Sequence, residues 1–509
     1  MSERKGTLLD KTQVFLSQSF AVCWAALFAL LFGLSLRYVE DWYWHLGAAV
    51  AICIVFFLLY CRCRERLDAD DRLTRRWAVA LLAIIFAQLL LVGKLMLIEP
   101  TSDSGTIWYS VADVVETGTI SKEVSRYTSC YEFTKTSNHN YFLIYPMTRF
   151  MVAYLLPYCK AVHELLGVEL RTQLGFAFGA GLNAVSILAA VWFGFLTVRK
   201  EKGNAAALLF LILCFLFLPY SLNVYRVYSD TLSLPYLTLS IYLFVLADRE
   251  TRTGRRLPLF FTAGLAAAVG ALLKGNIWIL VIAALIYRLV RVRDRKKAPL
   301  DLLCAALGLL LVTQIWAFSA DRLPWLDTTE SDRYELPTMH WILMASEGDG
   351  GFDKDATEYM LSLDSVEARR EAAIEKYIQR FHARGKRKFI EFTFRKITRV
   401  LSDGMFTQRN YLDRQEGRAL EPFVTRSGEY YTAFRSYTWI FLYFVYLWIG
   451  VSAVTRAIRK KTDTAFLFHV CLFGLILFFS FWEVKARYLL NFTQTRSTPP
   501  SMATTDCAT

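Results

Sequence analysis

A chain of 509 residues that is 55% hydrophobic, 15% aromatic and only 20% charged is too apolar for a soluble protein of its length, so a membrane class comes first. The formal net charge of +13 is spread over many loops instead of gathered on one basic face, which argues against nucleic acid as a partner and for orientation in a bilayer. The ten cysteines show no paired framework, and Cys23, Cys53, Cys214, Cys304 and Cys471 sit inside apolar runs as small hydrophobes, so neither a disulfide scaffold nor a zinc site is expected.

The first apolar run begins near Phe20 and is followed at once by another, with no small-residue cleavage site between them, so no removable leader is read. Runs of roughly 20 apolar residues, the length that crosses a hydrocarbon core, then recur along the chain. They predict spans near 18–38, 42–61, 77–97, 172–198, 205–222, 230–248, 257–273, 276–290, 299–318, 437–455 and 464–482, about eleven crossings. With the N-terminus in the cytoplasm, the connections 62–76, 199–202, 249–256, 288–297 and 456–461 fall on the cytoplasmic side, and all are rich in Arg and Lys. The opposite short connections carry at most one or two basic residues, which is the asymmetry of the positive-inside rule.

The stretch 141–166 is apolar but contains Pro146, Arg149, Pro157, Lys160 and His163, and counting it as a crossing would reverse every later basic loop. It is read as helices in the outer interface, with a kinked true span as the alternative. The organisation expected is therefore N-terminal transmembrane helices over 1–97, a first extracytoplasmic loop with interfacial helices over 98–171 and a transmembrane bundle over 172–318. An extracytoplasmic loop domain over 319–436, C-terminal transmembrane helices over 437–492 and a polar tail over 493–509 complete it. Both long non-membrane segments face outward, so the chemistry is expected there. A transporter would instead show paired charges within spans and repeat symmetry, and neither is visible; Lys94 and Lys274 sit at span ends, where long basic side chains snorkel.

Asp103 follows a span end directly, Ser104 and Gly105 permit a turn, and Ile107, Val111 and Val114 form an apolar stripe. A carboxylate so placed is near the lipid surface yet wet, and can take a proton from an acceptor hydroxyl while a lipid-borne donor lies beside it. The structural alternative is an N-cap for the helix beginning near Gly105. Asp230 starts a span on the same side and carries the same two readings, cleft acid or N-cap. Asp113 and Glu116, three residues apart on the helix after Asp103, read as solvated helix surface, with one of them facing the cleft as the alternative.

The order of short features resembles the integral-membrane C-type glycosyltransferases (GT-C), in particular the lipid-phosphosugar users of bacterial surface-polymer glycosylation, and is similar to the dolichyl-phosphate-mannose–protein mannosyltransferase-like family. The matching elements are Asp103 past a span end, a helix closing at Gly118, Tyr145-Pro146 opening the interfacial helix and Leu166-Gly167 closing it. Tyr228-Ser229-Asp230-Thr231 at a span start, Lys274-Gly275-Asn276 between two short spans, His340-Trp341, Ser402-Asp403-Gly404 with Phe406, and Ala486-Arg487-Tyr488 follow. The first two spans are an addition to the family's arrangement.

The resemblance implies an all-α polytopic membrane fold, a GT-C-like bundle with interfacial helices and a mostly helical extracytoplasmic segment. It also implies inverting transfer of a sugar from a polyprenyl-phosphate carrier to a cell-envelope glycan, polymer or protein acceptor, with no cofactor. By resemblance Asp103 is the catalytic base, while Lys274, then Arg226 and Arg487, meet the departing phosphate; interfacial anchoring is their alternative. Asp230, Tyr145 and His340 are the further substrate-binding candidates, although a lone His is commonly a core residue. The six His show no ligand spacing, and the pairs Asp68-Ala-Asp70 and Asp353-Lys-Asp355 read as solvated charge, so no metal is expected.

The stretch 368–400 is expected to be a helix with a basic face resting on anionic lipid or polymer, or simply solvated. After Phe492 the family pattern calls for another apolar span, whereas 493–509 is polar; the sequence departs from the family there. A transporter or flippase of a lipid-linked saccharide, and a non-catalytic envelope scaffold, are the competing functions.

Overall fold

The computed structural model describes residues 8–123, 137–290, 297–407, 409–459 and 464–492. The fold is an all-α polytopic membrane bundle. Nine helices among the described residues are long and apolar enough to cross a membrane, and two shorter apolar ones accompany them, at Asn204–Leu216 and Gly275–Val290. The predicted spans map onto these.

In chain order the membrane helices are α1 (Leu8–Leu36), α2 (Trp42–Ala69) and α3 (Asp71–Leu95), followed after the first long segment by α6 (Gln173–Lys202), α7 (Asn204–Leu216), α8 (Leu234–Arg249), α9 (Thr253–Leu273), α10 (Trp278–Val290) and α11 (Ala298–Ala320). The first long segment contributes α4 (Ser102–Thr117) and α5 (Arg149–Leu166); the second contributes α12 (Val366–Arg384) and α13 (Lys386–Leu401), and α14 (Tyr431–Arg459) and α15 (Thr464–Phe481) close the bundle. Proline sets two interruptions: α7 stops at Leu216 and a short helix, Leu218–Leu222, restarts with Pro219 in its first turn, while Pro235 opens α8.

α11 leaves Leu303, Leu307, Leu310, Leu311, Ile315 and Phe318 exposed, an apolar face that hydrocarbon covers. Helices α1 and α2 pack against α14, and α1 also meets α13.

At one end of the bundle the connections are short and basic and are joined by ion pairs. Arg199 meets Asp71, Arg249 lies 2.7 Å from Glu201, and Arg288 bridges Asp248 and Asp301, the latter also held by Arg256 at 2.8 Å. The opposite end carries both long segments, which share one apolar core that includes Ile107, Phe142, Leu155, Leu336, Leu343 and Met360. Buried Arg149 fastens them, donating from Nε to the Phe142 carbonyl at 2.9 Å and from Nη2 to Ser331 Oγ at 3.0 Å. The stretch 141–166 is thus part of this loop domain and is not among the candidate spans: Asn138–Ile144, a turn at Pro146–Thr148, then α5, ended by Gly167 at φ +65°.

Two surface expectations change. Asp113 is buried, where it pairs with Arg171 and accepts from the Ser121 N–H at 3.2 Å, because α4 lies under the loop domain instead of on its surface. The basic helix over 368–400 is two helices broken at Gly385, φ +73°, and part of its charge is used internally. Arg380 lies 2.9 Å from Asp353 and Arg384 lies 3.1 Å from Glu347. The polar tail 493–509 lies outside the described residues.

Candidate active site

Four chain segments bring charge to one spot where the bundle meets the loop domain. After α3 the chain doubles back at Pro100, and Gly105 lies so close beneath it that a Cβ there would sit 2.7 Å from the Pro100 carbonyl oxygen. Ser102 adopts φ +56°, a left-handed conformation that costs a non-glycine residue on the order of 1 kcal/mol or more. The N-cap position falls on Thr101, so Asp103 occupies the first turn of α4 and its carboxylate is available for other partners. Trp108, one turn on, seats α4 by donating Nε1–H to the Leu170 carbonyl at 2.9 Å.

Opposite, Asn183 in mid-α6 offers its amide to the carbonyls of Asn223, Val224 and Arg226 at 2.9–3.0 Å. Its two hydrogens are shared among three acceptors, and they hold the loop that presents Arg226, Tyr228 and Asp230. Asp230 lies in the turn Ser229–Leu232, whose N-cap is Tyr228. At the end of α9 the backbone of Lys274 becomes extended, φ −146° and ψ 104°, which turns its side chain toward this loop. Arg487 comes from the turn Ala486–Phe492 after α15, and its backbone N–H donates to Thr407 Oγ1 at 3.2 Å.

The cluster has an open acid above buried charges. Lys274 Nζ lies 2.6 Å from Asp230 Oδ1, and Arg487 Nε lies 3.7 Å from Asp230 Oδ2. Asp230, Lys274 and Arg487 are almost wholly shielded, whereas a quarter of the Asp103 side chain remains exposed. Tyr228 Oη donates to Asp103 Oδ2 at 3.3 Å, and Arg487 Nη2 approaches that oxygen at 4.0 Å.

Aromatic rings wall the cations. Lys274 Nζ is 4.5 Å from the Tyr488 ring centre, and the Arg226 guanidinium is 3.9 Å from that of Tyr411 and 4.9 Å from that of Tyr228. Burial pushes the Lys274 ammonium down to about 8, although Asp230 pulls the other way. Burial also works against the Arg487 charge, but Asp230 and the surrounding tyrosine oxygens outweigh it and hold the guanidinium charged. Burial, with the Asp103 carboxylate next, pushes the Tyr228 hydroxyl well up, so it serves as a donor.

Five of the sequence-predicted residues therefore meet: Asp103, Arg226, Asp230, Lys274 and Arg487. Tyr145 and His340 pack together in the loop domain, joined through Trp341, whose ring is 5.7 Å from Tyr145 and 5.5 Å from His340. His340 is fully buried, 3.4 Å from Thr357 Oγ1, and burial lowers it to about 4, so it is neutral at ordinary pH. Glu483, Tyr411 and Asn183 belong to the site and escaped sequence reading. Glu483 is buried, accepts from Tyr488 Oη at 2.9 Å and lies 2.7 Å from Lys485; the alternation Glu483, Lys485, Arg487 just past a span was the signal available. Among the described residues no group of three or more His, Cys, Asp and Glu is placed to hold a metal ion.

This arrangement can deprotonate a hydroxyl at Asp103 and receive an oxyanion between Lys274, Arg487 and Arg226. Among solved structures the chain is similar to ArnT from Cupriavidus metallidurans, whose crystal structure is bound to undecaprenyl phosphate, at 12% identity and a TM-score of 0.37 over 82% of this chain and 77% of that one. No curated protein sequence matches the chain. The family described as conserved hypothetical integral membrane protein matches residues 178–495, which is more than half of the sequence and takes in Asp230, Lys274 and Arg487, and the chain belongs to that family.

Proposed function

We propose that the chain is a membrane glycosyltransferase of the GT-C type that moves a sugar from a polyprenyl-phosphate carrier to a cell-envelope acceptor on the extracytoplasmic face. The observation that carries this reading is the pairing of a partly open carboxylate, Asp103, with the buried cations Lys274 and Arg487, which share Asp230. Glycosyl transfer from a lipid phosphate needs both parts. The acceptor hydroxyl must lose a proton as it attacks the anomeric carbon, and the departing phosphate gains charge that fixed cations stabilise in a water-poor site. Attack opposite the leaving phosphate inverts that carbon.

The charge asymmetry of the short loops supports an N-terminus in the cytoplasm and a loop domain outside, where lipid-linked sugars are used and nucleotide sugars are scarce. The flippase alternative calls for paired charge deep in the spans. Among the described residues the buried pairs of Arg256 and Arg288 with Asp301 lie at helix ends on the basic side.

The test is reconstitution with radiolabelled polyprenyl-phosphate sugars, scoring glycosidic product with envelope acceptors. Asp103→Asn is expected to lower transfer by about 10²- to 10⁴-fold. An unchanged rate removes Asp103 as the base. Movement of labelled carrier across vesicles without any glycosidic product overturns the enzyme reading itself.

A further inference from the structure

A cavity of about 620 Å³ opens beside the cluster, bounded by the ends of α13 and α14, the loop 349–352 and the segment 484–486. That volume is in the range of ligand pockets. Its wall carries five cations, Lys396, Arg399, Arg426, Arg435 and Lys485, and two carboxylates, Asp349 and Asp403. Three of the five cations are ion-paired: Arg399 with Asp349, Arg426 with Asp413 at 2.8 Å and Lys485 with Glu483 at 2.7 Å. Asp349 lies 3.3 Å from Arg399, while Asp403 is occupied with the backbone N–H groups of Met405 at 3.0 Å and Thr407 at 2.7 Å.

Two of the cations have no carboxylate partner among the described residues. Lys396 is buried, and its ammonium donates to the carbonyls of Ala345 at 3.1 Å and Trp482 at 3.4 Å. Arg435 stacks on the Trp439 ring at 4.1 Å. A buried ammonium with carbonyl dipoles but no carboxylate beside it among the described residues keeps an uncompensated charge at the cavity wall.

The cavity also adjoins the reacting groups. Val484, Lys485 and Ala486 form one wall, and the next residue, Arg487, reaches toward Asp103; Thr407, on the same wall, anchors the Arg487 backbone. A molecule lying against Arg399, Arg435 and Lys396 thus sits beside the segment that carries Arg487, the side chain that approaches Asp103.

We propose that this cavity is the acceptor subsite and that it recognises a water-soluble acceptor bearing phosphate, held by Arg399, Arg435 and Lys396. Calling the ligand an acceptor rests on the glycosyl-transfer reading, whereas anion binding itself requires no donor. Phosphate chemistry has a second source in the headgroup of the carrier lipid, so the test separates the two.

The full chain is placed in phosphatidylcholine nanodiscs, and binding of a glycerol-phosphate trimer is compared with that of maltotriose, a neutral chain of similar size. The phosphate trimer is expected to bind at least about tenfold more tightly, and Arg399→Gln with Arg435→Gln to remove about that factor. Both arginines sit at or near the surface, and an unchanged Tm checks that the double variant is folded. Wild-type protein provides an independent readout: raising the salt from about 0.05 to 0.5 M should weaken the trimer severalfold or more and leave maltotriose unaffected.

Loss of transfer in Asp103→Asn with the trimer still bound more tightly than maltotriose separates failure of the transfer chemistry from failure of this subsite. Equal affinity for charged and neutral chains, or salt-independent binding, overturns the proposal. Displacement of the trimer by equimolar farnesyl phosphate gives the cavity to the carrier and overturns it as well.

Discussion

Lys274 sits where two opposing effects meet. Removal from water lowers its affinity for the proton, Asp230 at 2.6 Å restores part of it, and the balance leaves the ammonium titrating at about 8. Asp230, Arg487 and Lys485 are the charged neighbours that act with burial on this group, and the rings of Tyr228 and Tyr488 face the ammonium. If the charge on Lys274 stabilises the departing phosphate, transfer should fall with unit slope above pH about 8 as the cation is lost. Stability runs the other way. Between about 8 and the ordinary lysine value the unfolded chain holds more protons than the native one, so this group makes the fold more stable as pH rises. The titration of Lys274 therefore does not itself unfold the protein in that window, and a Tm measured across the same pH range separates a loss of rate from unfolding. Lys274→Arg should keep transfer and move the alkaline limb beyond pH about 10, since a guanidinium does not titrate there, while Lys274→Met should cost about 10²- to 10³-fold. An unmoved limb in Lys274→Arg would assign it to another amine, such as Lys396, which burial also lowers to about 8. The five clustered charges were legible in the sequence because isolated ionic residues at the ends of apolar runs stand out. Asn183 and Tyr411 were not, because an amide in mid-helix and a tyrosine in a polar stretch have ordinary structural uses, and only the fold shows that three loop carbonyls and the Arg226 guanidinium converge on them.

The helices that position these residues approach one another through small side chains. α9, which ends at Lys274, crosses α11 so closely that a Cβ on Gly264 would lie 2.1 Å from the Ala305 carbonyl oxygen, and one on Gly308 2.2 Å from that of Phe261. Backbone cannot yield there as a flexible side chain would, so the two helices must separate to admit a methyl group. Gly264→Ala is expected to lower stability by about 1–3 kcal/mol, read as a drop in Tm in detergent, and to reduce transfer by displacing the end of α9. Gly450→Ala in α14, with no atom within 4 Å of the added carbon, is the control and should leave Tm unchanged or slightly higher. Equal Tm values for both variants would mean that the α9–α11 contact is looser than described. Elements of this kind were readable as spans from apolar runs alone, but their partners were not, because a stripe of small residues says that something comes close without saying what. The interruptions were legible only in part. Pro219 and Pro235 announce breaks, whereas the break between α12 and α13 rests on Gly385 within a continuous run of helix formers.

For the whole molecule, the two ends of the bundle differ in kind: one carries short basic connections stitched by ion pairs, the other carries the described parts of both long segments, packed on one apolar core. Crossing parity follows from the spans, and the assignment of ends to sides of the membrane follows from the bias of Arg and Lys toward the cytoplasm. The loop domain is expected to be reached from outside the cell. Single cysteines placed by Glu358→Cys in the loop domain and Arg252→Cys between α8 and α9, in a chain whose native cysteines are replaced, test this directly. Both sites are polar and outside the candidate spans. A membrane-impermeant maleimide should label Glu358→Cys in intact cells and Arg252→Cys only after the membrane is opened. The reverse pattern would put the Asp103 cluster on the cytoplasmic side, where nucleotide sugars are available. A lipid-phosphate donor would then lose the argument from compartment, and the cations at Lys274 and Arg487 would have to be explained by a different leaving group. Labelling at both sites in intact cells would mean that Gly275–Val290, the shorter helix between the two labels, does not cross. The position of Asp103 relative to the bilayer therefore depends on the crossing count as much as on its own surroundings, and the two labels measure that count without reference to catalysis.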